Sequence, residues 1–449
     1  ATTENPKPNT NLVAGKIHRL GYMPMLPPSD LDPTKWMASM PRNVYLSEIS
    51  IPGSWNSLNP QFQTMASAPK TDAQATSVIN TQYQAGARAF HLDTRFRTNV
   101  TGVPTNAETN MTLSIANNGD TWNVTGGNGK VMRRGESPDF STVLNAITNN
   151  VKADEYIVVI CTFAQGSHTP KIKWNGDNDN YWYDRISEAC ASNTKVYDAS
   201  LITAETTIKD VLGSAIVIVN CEGDPTTIPT KLSTKSKCLF VNAPLTHDDR
   251  TGAVFNNSGS LGYTSAMYYR NGSTSTSTAI NMYNIQAQIS GRNAPGYTSN
   301  RGYAPTLTQR QTVGNNIIAK ALTNYKDQNY AHNYWYYQGL GGYYSDDDNS
   351  QDEVAAVMNS WINGVVNNMS AIPTGSQTQY HPIGIILMNF VESGADKPVW
   401  NILQLNNKFS KQFDPKKPEW PDQGTTVQSK APGYSSGMID SDTKAIGWD

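Results

Sequence analysis

A chain of 449 residues is long enough for one large barrel or for roughly two to three smaller domains. The formal net charge of −2 at pH 7, without runs of basic residues, argues against a nucleic-acid partner. No apolar run reaches the roughly 18 to 20 residues that a helix needs to span a bilayer.

Composition and cysteine usage bear on where the protein works. Only 16% of the residues are charged, while Asn, Ser, Thr, Gly and Tyr are plentiful, which is typical of a secreted or cell-surface protein. The chain begins at Ala1 rather than at a methionine, so we expect that a signal segment has been removed. The four cysteines lack the close spacing of metal motifs such as C-x-x-C. Cys161 and Cys221 each end an apolar run, which predicts buried thiols rather than disulfides.

The first predicted strand covers residues 45–51. Pro52 and Gly53 are turn residues, and we expect them to redirect the chain. Trp55 and Asn56 then lie at the C-terminal end of this strand, where a parallel barrel places its functional groups.

A helix and a second strand come next. Thr71 can cap the helix, and Gly86 is placed to end it. The second strand, residues 87–97, begins directly afterwards, and this strand–helix–strand order implies a parallel sheet. A polar inner face and an apolar outer face suit a barrel wall, whose polar side lines the mouth. Alternation along the strand places Ala89, His91, Asp93 and Arg95 on one face, and Phe90 and Leu92 on the other.

The remaining chain alternates apolar strands with helices. Strands are predicted at residues 111–115, 156–160, 215–220, 238–242, 334–337 and 383–390. Helices are predicted at residues 140–151, which follow a cap at Ser137 and Pro138, and at residues 312–325, 354–366 and 399–409. Residues 255–310, rich in Ser, Thr, Gly, Asn and Tyr, are predicted to form long loops on one face of the barrel.

We therefore predict an α/β fold, a TIM-like (β/α)8 barrel that allows irregularities and carries long decorated loops. The barrel is expected to cover residues 41–410, with the loop insertion at about 255–310. An N-terminal arm, residues 1–40, and a C-terminal tail, residues 411–449, flank it, because both are rich in Pro and small polar residues.

Two segments carry a resemblance to a known family. They read LSEISIPGSWNS at residues 46–57 and GARAFHLDTRFR at residues 86–97. Their order and spacing resemble the opening of the phosphatidylinositol-specific phospholipase C X-domain, whose segments read roughly Ile-Pro-Gly-Thr-His-Asp-Ser and Gly-Ile-Arg-Tyr-Phe-Asp-Ile-Arg. The resemblance implies a PLC-like phosphodiesterase barrel, a phosphoric diester hydrolase of lipid metabolism.

The family's proton-transfer positions hold different residues in this chain. Its mechanism uses one histidine as a base, a second as an acid, and positive charge on the phosphate. The resemblance places Trp55 at the base histidine and Asn56 at its neighbouring acid. It places Asn117 or Asn118 at the acid histidine and Asn389 at a late-strand aspartate. Because indole and amide groups do not exchange protons near neutral pH, we expect the usual mechanism to be absent.

The second segment offers a phosphate contact and a metal alternative. By the resemblance, Asp93 stands where the metal-independent branch has an arginine, and Arg95, on the same face, could reach a phosphate. The metal-dependent branch would hold calcium at Asn56, His91 and Asp93, but histidine is a poor calcium ligand. The alternative is that His91 is hydrogen-bonded to Asp93 or to an asparagine.

Three functional readings follow from these residues. The first is a secreted PLC-like barrel without phospholipase C activity, which needs no cofactor. It would bind a small phosphorylated or polyol ligand, or a lipid headgroup, through Trp55, Asn56, Asp93, Arg95, Asn118 and Asn389. The second is an active phosphodiester hydrolase that uses a divalent metal. The third is a structural surface module without a small-molecule ligand.

Overall fold

The structure is a computed structural model. It describes residues 18–19, 32–40, 42, 44–98, 111–115, 120–125, 131–135, 137–163, 181–221, 224–226, 235–241, 263–272, 274–286, 307–326, 332–342, 351–370, 378–379, 382–392, 398–408 and 412–413. Within these ranges the strands are β1 (His18–Arg19), β2 (Ile51–Ser54), β3 (Ala89–Thr98), β4 (Met111–Ile115), β5 (Asp120–Thr125), β6 (Val131–Gly135), β7 (Ile157–Phe163), β8 (Ala215–Asn220), β9 (Leu239–Val241), β10 (Tyr263–Asn271), β11 (Thr274–Gln286), β12 (Tyr334–Gly339), β13 (Met369–Ser370), β14 (Thr378–Gln379), β15 (Ile385–Met388) and β16 (Gln412–Phe413). The helices are α1 (Asp72–Gln84), α2 (Phe140–Asn149), α3 (Tyr181–Ser192), α4 (Ile208–Val211), α5 (Leu307–Lys326), α6 (Gln351–Asn367) and α7 (Pro398–Lys408), with 3-10 helices at Trp36–Ser39, Leu46–Glu48 and Ala199–Leu201.

A closed barrel forms the centre of the described part of the chain. Its nine strands follow the order β2, β15, β12, β11, β10, β9, β8, β7 and β3, and pairing of β3 with β2 closes the circle. Eight of these strands are parallel, and β10 is antiparallel to both of its neighbours. The predicted TIM-like α/β barrel is confirmed, with β10 as its irregularity.

The loop prediction for residues 255–310 is wrong for its central part. Residues 263–271 and 274–286 form the hairpin β10–β11, which pairs with β9 on one side and with β12 on the other. The strand character was missed because Thr274, Thr276 and Ser277 are polar and exposed, so the segment reads as a loop in the sequence. The buried side chains of Met267, Ile280 and Met282 anchor the hairpin in the wall.

The first strand also begins later than predicted. Residues 46–48 form a 3-10 helix, and Pro52 and Gly53 lie inside β2 instead of turning the chain. Pro52 is tolerated because the N–H groups that donate to the β15 side belong to Ile51 and Trp55, which alternate with Pro52 along the chain, so that side needs no N–H from Pro52. Gly53 is required by space, because a Cβ there would lie 2.6 Å from the Ala89 carbonyl oxygen and from the Leu387 side chain.

Other local predictions hold with small changes. Thr71 and Gln74 form a reciprocal capping box at the start of α1, and Gly86 follows its end with φ +109°. Helix α2 begins at Phe140, with Asp139 rather than the predicted Ser137 at the N-cap position, and the Asp139 side chain makes no capping hydrogen bond. The strand at residues 111–115 exists, but as β4 it pairs antiparallel with the outer half of β3 and lies outside the barrel wall.

The N-terminal end of the barrel is closed from within the chain. Leu46 and Ile49 line a small apolar cavity there together with Ile51 and Ile385, which point inward from β2 and β15. Before this segment, the buried Trp36 donates from its indole N–H to the Gly86 carbonyl at 2.9 Å. The end of the segment predicted as an arm therefore packs into the core, and the remaining domain limits stay predictions.

Candidate functional site

The C-terminal ends of β2, β3 and β7 bring the central predicted residues together. Trp55 and Asn56 follow β2 directly, His91 and Asp93 lie on β3, and β3 pairs in parallel with both β2 and β7. The pairing of Asp93 with Thr162 places a hydroxyl of β7 on the same face. We call these five residues the mouth group.

The Trp55 side chain is buried inside the barrel mouth, with 3% of its surface exposed. Its ring lies 4.9 Å from the His91 ring, centroid to centroid, at a tilt of 55°. Its backbone is fixed as well, because its N–H donates to the Met388 carbonyl and its own carbonyl accepts from Gln63 Nε2.

Asn56 follows in a left-handed backbone conformation, with φ +44°. Its backbone N–H donates to Nδ1 of His91 at 3.0 Å. Its side-chain oxygen, Oδ1, is buried and has no hydrogen-bond partner among the described residues. A positive φ and an orphaned buried acceptor both cost free energy, and such costs concentrate at functional sites.

A hydrogen-bonded chain of fixed direction runs from Asn56 to Asp93. Because Nδ1 of His91 accepts from a backbone amide, the ring proton lies on Nε2, which donates to Thr162 Oγ1 at 2.7 Å. The Thr162 hydroxyl then donates to Asp93 Oδ1 at 2.9 Å. Burial lowers the pKa of His91 to about 3, so this imidazole is neutral near pH 7.

The mouth group does not fit the calcium site that the resemblance implies. Both ring nitrogens of His91 are occupied by protein groups, and Nδ1, the one with a lone pair, accepts the Asn56 amide. Only the oxygens of Asn56 and Asp93 remain, whereas Ca²⁺ takes about six to eight oxygen ligands. No group of three or more His, Cys, Asp or Glu residues in the described part of the chain could hold a metal ion.

Asn389 directly follows β15, and its side-chain amide is hydrogen-bonded to backbone groups. Its Nδ2 donates to the carbonyls of Gly342 and Gln351 at 2.7 and 3.1 Å, and its Oδ1 accepts from the Gly342 N–H at 2.9 Å. It therefore ties the segment after β12 to the start of α6. A ligand contact by Asn389 stays a prediction.

Several predicted residues lie outside the described part of the chain. The backbone of Arg95 belongs to β3, opposite Ser114 of β4, but its side chain is outside the described residues. Asn117 and Asn118 are outside them as well. The phosphate contact by Arg95 and the roles of the two asparagines stay predictions.

Three residues near the mouth were missed by sequence reasoning. Thr162 is the polar residue near the end of the apolar strand β7, a signal that sequence inspection could have used. Gln63 holds the mouth loop through bonds to the Trp55 and Met388 carbonyls, and Glu392, whose pKa burial raises to about 7, follows β15. Neither residue had a local sequence signal.

Comparison with known proteins gives structural matches alone. No family model matches the sequence, and no curated protein matches it. A mutant of the phosphatidylinositol-specific phospholipase C from Staphylococcus aureus is 16% identical, covering 85% of this chain and 98% of that chain, with a TM-score of 0.49. The phosphatidylinositol-specific phospholipase C from Listeria monocytogenes is 15% identical, covering 84% and 100%, with a TM-score of 0.44. The chain is similar in fold to these proteins.

A calcium-dependent phosphoinositol-specific phospholipase C from a Gram-negative Pseudomonas species matches over a shorter part. It is 16% identical, covering 43% of this chain and 61% of that chain, with a TM-score of 0.25. Among the described residues, no helix combines the length and apolar character needed to cross a membrane.

Proposed function

We propose that this protein is a secreted PLC-like barrel that lacks the usual phospholipase C activity and binds a polyol-type or phosphorylated ligand at its mouth. One observation carries the proposal: the imidazole in the mouth group, His91, has both ring nitrogens bonded to the protein. Trp55 stands where the family resemblance places the catalytic base, and it is buried.

The expected absence of hydrolysis is supported by these two residues. Cleavage of the phosphodiester needs a base for the inositol hydroxyl and an acid for the leaving oxygen, each worth on the order of 10² to 10⁴ in rate. The Trp55 indole has no basic nitrogen near neutral pH. Burial holds the pKa of His91 near 3, which leaves the ring neutral and unable to act as an acid.

The binding part of the proposal rests on the acceptor atoms of the mouth group. The Thr162 hydroxyl orients the half-buried Asp93 carboxylate, and the orphaned Oδ1 of Asn56 is a second acceptor on the adjoining loop. Hydroxyl groups of a polyol, or of a lipid headgroup that contains one, are donors that suit such acceptors. Arg95, two residues beyond Asp93, would supply the phosphate contact.

Turnover and binding are measured separately. Phosphatidylinositol vesicles and a chromogenic phosphodiester are incubated with the protein, with and without Ca²⁺, and we expect no product above background. Binding of myo-inositol and of myo-inositol 1-phosphate is measured by calorimetry, which separates a polyol site from one that needs phosphate. Asp93→Asn should weaken binding about tenfold or more through loss of a charge-assisted hydrogen bond.

The matched control is Asp154→Asn, an exposed aspartate before β7 at the opposite end of the barrel, which should leave binding unchanged. Metal-dependent turnover that Asp93→Ala abolishes would contradict the proposal and support the hydrolase. If the protein shows no turnover and binds neither inositol probe, the result would support the structural surface module. Export, supported by the low charge content, is tested by fractionation of the source cells.

A further inference from the structure

The Trp55 indole occupies space that two glycines leave open. A Cβ at Gly339, at the end of β12, would lie 2.7 Å from Cζ3 and 3.4 Å from Cε3 of Trp55. A Cβ at Gly341 would collide with Cβ and Cγ of the same side chain. Neither glycine has a positive φ, so the backbone conformation does not require glycine there. Glycine is required at both positions because a Cβ would occupy the space of the indole.

An orphaned hydroxyl lies beneath the indole. Tyr337 precedes Gly339 by two residues on β12, so the two face the same side of the wall. The hydroxyl of Tyr337 is buried without a hydrogen-bond partner among the described residues, and it lies 3.5 Å from the point that a Cβ of Gly339 would occupy. Cζ3 of Trp55 lies 2.7 Å from the same point, so the indole and this hydroxyl are close neighbours inside the wall.

We propose that Trp55 is the specificity-determining residue of the mouth and sets the depth to which a ligand enters the barrel. This inference rests on the proposed binding function. With the indole in place, a ring-sized polyol is confined to the rim at Asp93. Without the indole, the ligand ring would reach the level of His91 and of the Tyr337 hydroxyl. The Tyr337 hydroxyl would then gain a hydrogen-bond partner.

Trp55→Ala tests the inference directly, because removal of a large buried side chain leaves a cavity that small ligands can fill. Indole, the group removed, and myo-inositol are titrated by calorimetry and by thermal shift. We expect Trp55→Ala to bind indole, which fills the cavity, whereas the unmodified protein does not. We expect it to bind myo-inositol roughly tenfold more tightly than the unmodified protein does, because the Tyr337 hydroxyl supplies one additional hydrogen bond. Trp400→Ala, on α7 outside the barrel wall, is the matched control and should show no gain. If Trp55→Ala does not fold, Trp55→Leu takes its place.

Gly339→Ala provides a second measurement that needs no ligand. In the unmodified protein it should lower Tm by several degrees, because the new methyl group overlaps the indole. In the Trp55→Ala background the overlap is gone, and the same substitution should have little effect. If Gly339→Ala lowers Tm equally in both backgrounds, Gly339 does not make room for the Trp55 indole, and the inference is contradicted.

The outcomes separate this inference from the proposed function. If the unmodified protein binds myo-inositol 1-phosphate but Trp55→Ala gains no affinity for indole or myo-inositol, the depth role of Trp55 is wrong and the binding function stands. If the unmodified protein binds neither inositol probe while Trp55→Ala binds indole and the glycine effects differ, the binding function fails. The steric role of Trp55 then stands without it.

Discussion

The Arg88 guanidinium forms a salt bridge with the Glu155 carboxylate at an N–O distance of 3.1 Å, and neither side chain has any exposed surface. Arg88 also donates to the backbone oxygens of Tyr83, Ala87 and Thr34, at 2.8 to 2.9 Å. The Tyr83 hydroxyl donates to the second oxygen of Glu155. This network joins α1 to the starts of β3 and β7, at the end of the barrel opposite the mouth.

Glu155→Gln should destabilise the protein by about 3–5 kcal/mol, because it leaves the Arg88 charge buried without its counter-ion. The measurement is urea unfolding followed by circular dichroism. Glu188→Gln is the matched control, since its partner Arg185 is 2.8 Å away but both side chains are partly exposed. That control should cost less than about 1 kcal/mol. Equal losses in the two variants would contradict the prediction.

The carboxyl group of Glu392 should make stability depend on pH. Both of its oxygens are buried, and desolvation raises its pKa from 4.5 to about 7 although the Thr64 hydroxyl works in the opposite direction. The folded protein therefore keeps a proton that the unfolded chain releases. The contribution of Glu392 to the free energy of unfolding is therefore greatest below pH 4.5 and is lost as pH rises through 7.

Glu392→Gln removes the ionisable group and should remove this decline. Urea unfolding at pH 5, 6, 7 and 8 measures it, with Glu205→Gln as a control at an exposed position. We expect Glu392→Gln to be more stable than the unmodified protein at pH 8 and close to it at pH 5. A gain of the same size at both values would show that the pKa is not raised.

Local patterns were sufficient to predict much of the barrel. The alternation on β3 correctly paired His91 with Asp93 on one face, since both contact Thr162. The capping residue Thr71 and the helix end at Gly86 were also correct. These features depend on side-chain period and backbone chemistry within a few residues, which a sequence displays directly.

Non-local features were not predictable in the same way. The strand character of residues 274–286 depends on pairing with β12, a partner about fifty residues away. The hydrogen bonds of Asn389 to Gly342 and Gln351 could not be foreseen, because only the folded chain brings these residues near it. The engagement of both nitrogens of His91 likewise depends on the register of three strands, and this decides against a metal ligand.

His91 should remain neutral between pH 5 and 8. Its pKa of about 3, caused by burial, lies below that of an ordinary histidine, near 6.5. On acidification the unfolded chain therefore binds the proton first. The contribution of His91 to stability is fully present above pH 6.5 and is lost as pH falls toward 3. The slope is at most about 1.4 kcal/mol per pH unit.

Nitrogen chemical shifts of the His91 ring measure this directly by NMR. We expect the signature of a proton on Nε2 and no titration between pH 5 and 8. The urea-unfolded protein is the control, in which the same ring should titrate near 6.5. A midpoint between pH 5.5 and 7.5 in the folded protein would contradict the hydrogen-bonded chain through Thr162.

The four cysteines should be inert in the folded protein. All four lie in the described part of the chain, none forms a disulfide, and none has exposed surface: Cys161, Cys190, Cys221 and Cys238. Burial raises the pKa of Cys161 and Cys190 well above the ordinary value, which keeps them as thiols rather than as reactive thiolates.

A thiol-specific chromogenic reagent should therefore detect almost no thiol in the native protein. After unfolding in urea without a reducing agent, it should detect all four. Two thiols in the unfolded protein would reveal a disulfide and overturn the prediction. Rapid modification in the native state would instead show that the helices around the barrel open readily, because each sulfur is reached only when its covering elements separate.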